Sequence, residues 1–119
     1  EVLPDWITEF DSLRILNLEK NRFLTFPIQF CRMPMLKQLI LNRNEIETLP
    51  NCIELMQNLE YLDLYDCAIR SLPESLVELK NLKEIDFSGI RFSPTFQESW
   101  NEKLPQVNII FDAPCDCME

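Results

Sequence analysis

Histidine is absent from the 119 residues, and glycine occurs once, at Gly89. Without histidine the chain cannot assemble Ser-His or Cys-His nucleophile pairs or a histidine-ligated metal centre. A single glycine removes the phosphate-cradling loops G-x-x-x-x-G-K and G-x-G-x-x-G, which each need more than one. Long apolar runs are missing too: none approaches the roughly 18 residues of a membrane span. Positive charge is scarce, with 11 Lys and Arg against 20 Asp and Glu and a net charge of -9. That balance disfavours nucleic acid and anionic membrane surfaces as partners. The opening Glu1-Val2-Leu3-Pro4-Asp5-Trp6 has neither Met nor the basic-then-apolar layout of a signal peptide, and it enters a repeat part-way. It reads as an excised or processed segment. What remains is 46% hydrophobic and 26% charged, the composition of one folded domain.

Internal repetition organises that domain. Leu3-Pro4, Phe26-Pro27, Leu49-Pro50 and Leu72-Pro73 recur every 23 residues. A second register keeps the same period: Leu13, Leu36, Leu59 and Leu82 each open the string L-x-x-L-x-L or its variant Leu82-Ile85-Phe87. Asn21, Asn44, Cys67 and Ile90 follow three positions after each string, and Phe23, Ile46, Ile69 and Phe92 two further on. Alternation of apolar and polar residues inside the string predicts a short strand with one buried face. The Asn or Cys slot supplies a small side chain that can satisfy backbone groups where the chain leaves the strand. Proline then sets φ for a return segment that points Ile53, Leu76, Met33, Met56 and Leu79 back at the core. No repeat can bury its own apolar face, so neighbours must stack.

At these residues the chain resembles the leucine-rich repeat superfamily. The form Leu72-Pro73-Glu74-Ser75-Leu76-Val77-Glu78-Leu79-Lys80-Asn81-Leu82 is similar to its 23-residue Leu-Pro intracellular class, which includes Ras-pathway scaffolds and Scribble-like proteins. The resemblance implies an α/β leucine-rich repeat solenoid: a short curved parallel β-sheet, irregular or 3-10 return segments, and a C-terminal α-helix cap. We expect residues 1–112 to form this domain of about four to five repeats, and residues 113–119 to be a flexible tail. The class implies a cytoplasmic location, with the nucleus as a variant.

The pattern changes after Gly89. Ser93-Pro94-Thr95-Phe96-Gln97-Glu98-Ser99-Trp100-Asn101-Glu102-Lys103-Leu104 predicts an α-helix near 95–104. Thr95 with Glu98 forms a capping box, and Ser93 with Pro94 competes as the start. Phe96, Trp100 and Leu104 make one apolar stripe. Leu104-Pro105-Gln106-Val107-Asn108-Ile109 supplies a last strand, with Asp112 near the Asn slot.

Five cysteines are an odd number for a complete disulfide framework. Cys67 takes a ladder position, and Cys31 and Cys52 are expected as reduced thiols on return segments. Cys115-Asp116-Cys117 is expected to be a reduced tail. It also resembles the Cys-x-Cys opening of the cap that closes extracellular leucine-rich proteins. Nine Asn residues without an N-x-S/T site weigh against secretion.

The x positions of the strings face away from the core. Their charges sum strand by strand to +1, +2, -3 and -1, basic at the N-terminal end and acidic toward the C-terminal end. Arg14, Ile15, Lys37, Ile40, Arg43, Tyr61, Asp63, Tyr65 and Asp86 are therefore the candidate partner-binding residues, with the tyrosines as anchors. Carboxylates on open strand positions stay splayed and solvated, so no catalytic set is assigned. The expected function is a non-catalytic scaffold or adaptor module that binds a protein partner through the concave sheet face. It is expected to use no cofactor, metal, small-molecule substrate, nucleic acid or membrane insertion. Two alternatives stand beside it. One is a targeting or substrate-recognition domain of a larger enzyme such as a phosphatase, deadenylase or ubiquitin ligase. The other is a fragment of a secreted leucine-rich recognition protein.

Overall fold

In the computed structural model residues 3–113 are described. The Cys115-Asp116-Cys117 motif, and with it nearly all of the expected tail, lies outside them. Each leucine string yields a three-residue strand: β1 (Ile15–Asn17), β2 (Gln38–Ile40), β3 (Tyr61–Asp63) and β4 (Glu84–Asp86). The last string adds β5 (Asn108–Ile110). All five pair in parallel and in chain order. The central residues Leu39, Leu62 and Ile85 are 0% exposed, so the buried face is the one the alternation predicts.

Each Leu/Phe-Pro pair starts a 3-10 turn, at Asp5–Glu9, Ile28–Arg32, Asn51–Leu55 and Glu74–Glu78. The preceding prolines hold φ between -62° and -77°, and each proline carbonyl accepts the N–H three residues on. The turns aim Phe30, Ile53, Leu76, Met56 and Leu79 into the core at 0% exposure. Helical turns on one side are wider than strands on the other, so stacking bends the sheet inward. The solenoid with 3-10 return segments and a C-terminal helix is the architecture expected from the repeats.

Leaving the strand requires a left-handed residue in every inner repeat: Lys20, Arg43, Asp66 and Gly89 have φ of 57°, 59°, 54° and 82°. The sole glycine falls in this column for a reason of space as well as torsion. A Cβ on Gly89 would stand 3.2 Å from the Asp66 backbone and from the Tyr65 ring.

The ladder slot is filled unevenly. Asn44, 3% exposed, makes four main-chain hydrogen bonds of 2.9–3.0 Å that join two repeats. Cys67 donates one, to the Leu41 carbonyl at 3.2 Å. Burial pushes its thiol up to about 11, so it stays a protonated donor at neutral pH. Ile90 makes none through its side chain. At that level the Gly89 N–H reaches Asp112 Oδ2 at 3.0 Å instead.

The expectation of reduced Cys31 and Cys52 is corrected. They form a disulfide, with Cα atoms 5.8 Å apart and a sequence separation of 21. Stacking sets adjacent 3-10 turns side by side, and a two-residue stagger brings the two sulfurs together. Because 21 is not the repeat period, the spacing carried no visible signal. Closing a loop of this size restricts the unfolded chain, worth about 2–3 kcal/mol. Dithiothreitol should therefore lower the denaturation midpoint by that amount, and alkylation without reductant should leave both residues unlabelled. Labelling of Cys31 and Cys52 in unreduced, denatured protein would contradict the bridge.

At the C-terminal shoulder the helix is α1 (Pro94–Lys103), one residue earlier than 95–104. Ser93, not Thr95, is its cap: Ser93 Oγ accepts the Phe96 N–H at 3.2 Å, and Pro94 occupies the first turn. Trp100 and Leu104 are buried, and Phe96 stacks on Phe92 with centroids 4.1 Å apart. Gln97, unremarkable in sequence, is buried because its amide donates to the Asp112 carbonyl at 3.1 Å.

Candidate protein-interaction surface

Strand register sorts the open face into columns. Ile15, Gln38, Tyr61, Glu84 and Asn108 form the first, and Asn17, Ile40, Asp63, Asp86 and Ile110 the second. Arg14 and Lys37 stand one residue before their strands, and both side chains are exposed. On the same flank Lys83 pairs with Glu60 at 3.4 Å. Ile15 is 53% exposed at the edge, while Ile40 is half-buried and belongs to the other column. The two isoleucines are diagonal neighbours rather than one patch.

The tyrosines divide similarly. Tyr61 lies in the strand column, half-buried, and lines a groove of about 310 Å³ with Gln38, Glu60, Lys83 and Glu84. Burial raises its hydroxyl pKa, and negative charge from Asp63, Glu84 and Asp86 raises it further. Tyr65 lies in the turn after β3. The Arg43 guanidinium sits 5.6 Å from its ring centroid, within cation-π range. Its opposite edge leans over Gly89, so this ring spans the turns of three repeats. Among the described aromatic pairs none joins Tyr61 to Tyr65, and they form two anchors rather than one cluster.

The carboxylates do more than face solvent. Asp63 Oδ1 accepts the Tyr65 N–H at 3.0 Å, and Oδ2 accepts from Asn42 Nδ2 at 2.8 Å. Asp86 Oδ1 accepts the Ser88 N–H at 2.9 Å and its hydroxyl at 2.6 Å. Asn17 Oδ1 takes the Glu19 N–H at 3.1 Å. These are Asx turns that steer the chain off each strand. Asp63 has each oxygen engaged internally, so it can offer a partner its charge and remaining lone pairs only. The clue was readable: Asn17, Asp63 and Asp86 share one repeat position. Gln38 and Glu84, which flank Tyr61 across the sheet, were overlooked because their place follows from register alone.

A family model described as leucine rich repeat matches residues 11–69. The chain is a leucine-rich repeat domain. A comparison with curated proteins gives no match. Among solved structures it is similar to a leucine-rich repeat protein of Leptospira interrogans, at 26% identity and a TM-score of 0.68. That similarity covers 92% of this chain and 34% of the other. It is also similar in fold to a chain in the Toll–Spatzle complex, described as a hub in Drosophila development and innate immunity. There the identity is 23%, the TM-score 0.76, and the coverage 96% of this chain and 16% of that one. The leucine-rich repeat domain therefore spans about a third and a sixth of these two chains. Leucine-rich repeat domains generally serve as protein-interaction modules, a role that an open sheet face suits.

Proposed function

We propose that the domain is a non-catalytic scaffold or adaptor module whose concave sheet face binds a protein partner through Arg14, Ile15, Lys37, Ile40, Arg43, Tyr61, Asp63, Tyr65 and Asp86. The observation that carries this reading is the pair of half-exposed tyrosine anchors on an uncovered sheet, with basic side chains toward β1 and acidic ones toward β4. Desolvated aromatic rings would hold the complex, while the charge gradient would orient its approach.

Once a partner has been captured, its kinetics test the assignment. Tyr61→Ala and Tyr65→Ala are expected to accelerate dissociation, at a cost of about 1–3 kcal/mol each. Lys37→Glu is expected to slow association, with an effect that shrinks as salt rises. Arg43→Glu should do both, because it also strips the cation from the Tyr65 ring. Reversals at Glu54 and Glu78 on the outer return segments should change little. Loss of binding in those outer variants, with normal binding by the tyrosine variants, would move the site off the sheet face.

The 23-residue period and the Leu-Pro pairs support the intracellular class, and with it a cytoplasmic or nuclear location. A second reading, a fragment of a secreted recognition protein, is favoured by the Cys31–Cys52 bridge, since disulfides persist in oxidising compartments. Thiol trapping in intact cells separates the two. Free Cys31 and Cys52 would support the intracellular reading, and an oxidised pair the secreted one.

A further inference from the structure

The two ends of the sheet are finished differently. At the C-terminal end α1 and four phenylalanines, Phe87, Phe92, Phe96 and Phe111, cover the last repeats. At the β1 end the inward side chains Leu13, Leu16 and Leu18 are only partly buried, whereas their counterparts Leu36, Leu39 and Leu41 are 0% exposed. Trp6, Phe10, Leu24 and Ile28 are each more than half exposed in this part of the chain. A groove of about 310 Å³ opens there, lined by Leu3, Phe23, Phe26 and Ile28 among others.

Polar groups at this edge repeat the interface used inside the array. The Gln38, Tyr61 and Glu84 amides donate to the carbonyls of Arg14, Lys37 and Glu60 in the preceding repeat, at 3.0, 3.0 and 3.2 Å. The Ile15 amide holds the same position and has no such partner among the described residues. Asn44 Oδ1 accepts the Asn21 and Phe23 N–H groups of the repeat before it. Asn21 occupies the slot one repeat earlier. Its amide donates to the Glu19 carbonyl at 3.1 Å, and among the described residues its Oδ1 accepts nothing.

The missing element can be specified, because half of its repeat is already in place. Leu3-Pro4 and the turn Asp5–Glu9 lie against the next turn, with Gln29 Nε2 donating to the Leu3 carbonyl at 2.7 Å and to Asp5 Oδ1 at 3.0 Å. This is the return leg of a repeat whose strand leg is absent. Parallel strands are joined by such a crossover leg, so the strand that pairs with β1 is the one that leads into Leu3.

We propose that the β1 edge is an open inter-repeat face, completed by one further leucine-rich strand of the same polypeptide that runs parallel to β1 and enters Leu3. Its ladder turn would donate two N–H groups to Asn21 Oδ1. Its trailing apolar residue would fill the groove beside Leu3. The longer arrays to which this domain is similar have room for such repeats, since it spans only 34% and 16% of them. Completion would also move Arg14 and Ile15 from the rim of the concave face to its interior.

The test inserts a second copy of Pro27–Leu49 between Leu3 and Pro4 of the full chain, with serine in place of the copied cysteine, which preserves the 23-residue register. The expected result is a higher melting temperature and amide exchange at Ile15 slowed about tenfold or more. Asn21→Ala should be mild in the original chain and should lower the melting temperature by several degrees in the extended one. Unchanged exchange at Ile15, or an equally mild Asn21→Ala in both proteins, would overturn the proposal. Should the extended chain fail to fold, the original chain still decides. A monomer with fast exchange at Ile15 supports an open face. Concentration-dependent protection of Ile15 would give the edge to a second copy and sink the proposal.

Discussion

Asn44→Ala is expected to destabilise the domain by about 3–5 kcal/mol, because one deleted amide orphans four main-chain groups. Oδ1 accepts from the Asn21 and Phe23 N–H groups at 2.9 and 3.0 Å, and Nδ2 donates to the Leu18 and Leu41 carbonyls at 3.0 and 2.9 Å. Two of these bonds are buried and two part-buried, so water can replace some of the loss but not all. Asn44→Cys should be milder than Asn44→Ala, since Cys67 shows that a thiol in this slot still reaches a carbonyl. Asn44→Asp should be at least as damaging as Asn44→Ala, because it removes both donated bonds and buries a charge. Urea titration gives the magnitude. Amide exchange should place the damage first at Phe23, in the repeat that Asn44 ties down. A loss below about 1 kcal/mol would mean that the ladder bonds are replaced as readily as surface ones.

Leu62→Ala is expected to cost about 4 kcal/mol, near the upper part of the range for large-to-small core changes. Leu62 is the middle residue of the central strand, is 0% exposed, and has Leu39 and Ile85 as register neighbours on either side. Neighbouring repeats cannot close over the cavity without breaking the strand ladder that fixes their spacing. Interfaces between repeats carry much of a solenoid's stability, so weakening the central one affects both halves. Ile109→Ala, in the last strand and half-buried, should cost much less. Thermal melts of the two variants check the contrast. A fall of about 10 °C or more is expected for Leu62→Ala, and a melt within a degree or two of the parent would place the strand register elsewhere.

Legibility in the sequence followed the period. Strands, return turns and inward leucines recur every 23 residues, and each recurrence confirmed the others, so the solenoid could be read before any coordinate. The helix was equally readable from the Phe96, Trp100 and Leu104 stripe. Its first residue was not, because Ser93 and Thr95 both offer an oxygen and only the path of the chain chooses the one that meets the Phe96 N–H. The disulfide was misread for a related reason: a 21-residue spacing falls outside the period, and the contact depends on how adjacent turns are staggered.

The candidate surface was legible as a set of positions and illegible as a set of contacts. Which residues face away from the core follows from alternation, a property of one strand. Which of them touch depends on neighbours in other repeats. Tyr65 and Arg43 are 22 residues apart in sequence and share a cation-π contact, whereas Tyr61 and Tyr65 are four apart and belong to separate columns. Asp63 and Asp86, which look like a free acidic surface in the sequence, are bound to their own turns. By itself the sequence determined the repeat, the buried face and the charge gradient, because each is a periodic property of a local string. Tertiary structure decided the bridge, the two separate tyrosine anchors and the unfinished β1 edge. Each of those depends on distances between repeats, which only stacking sets.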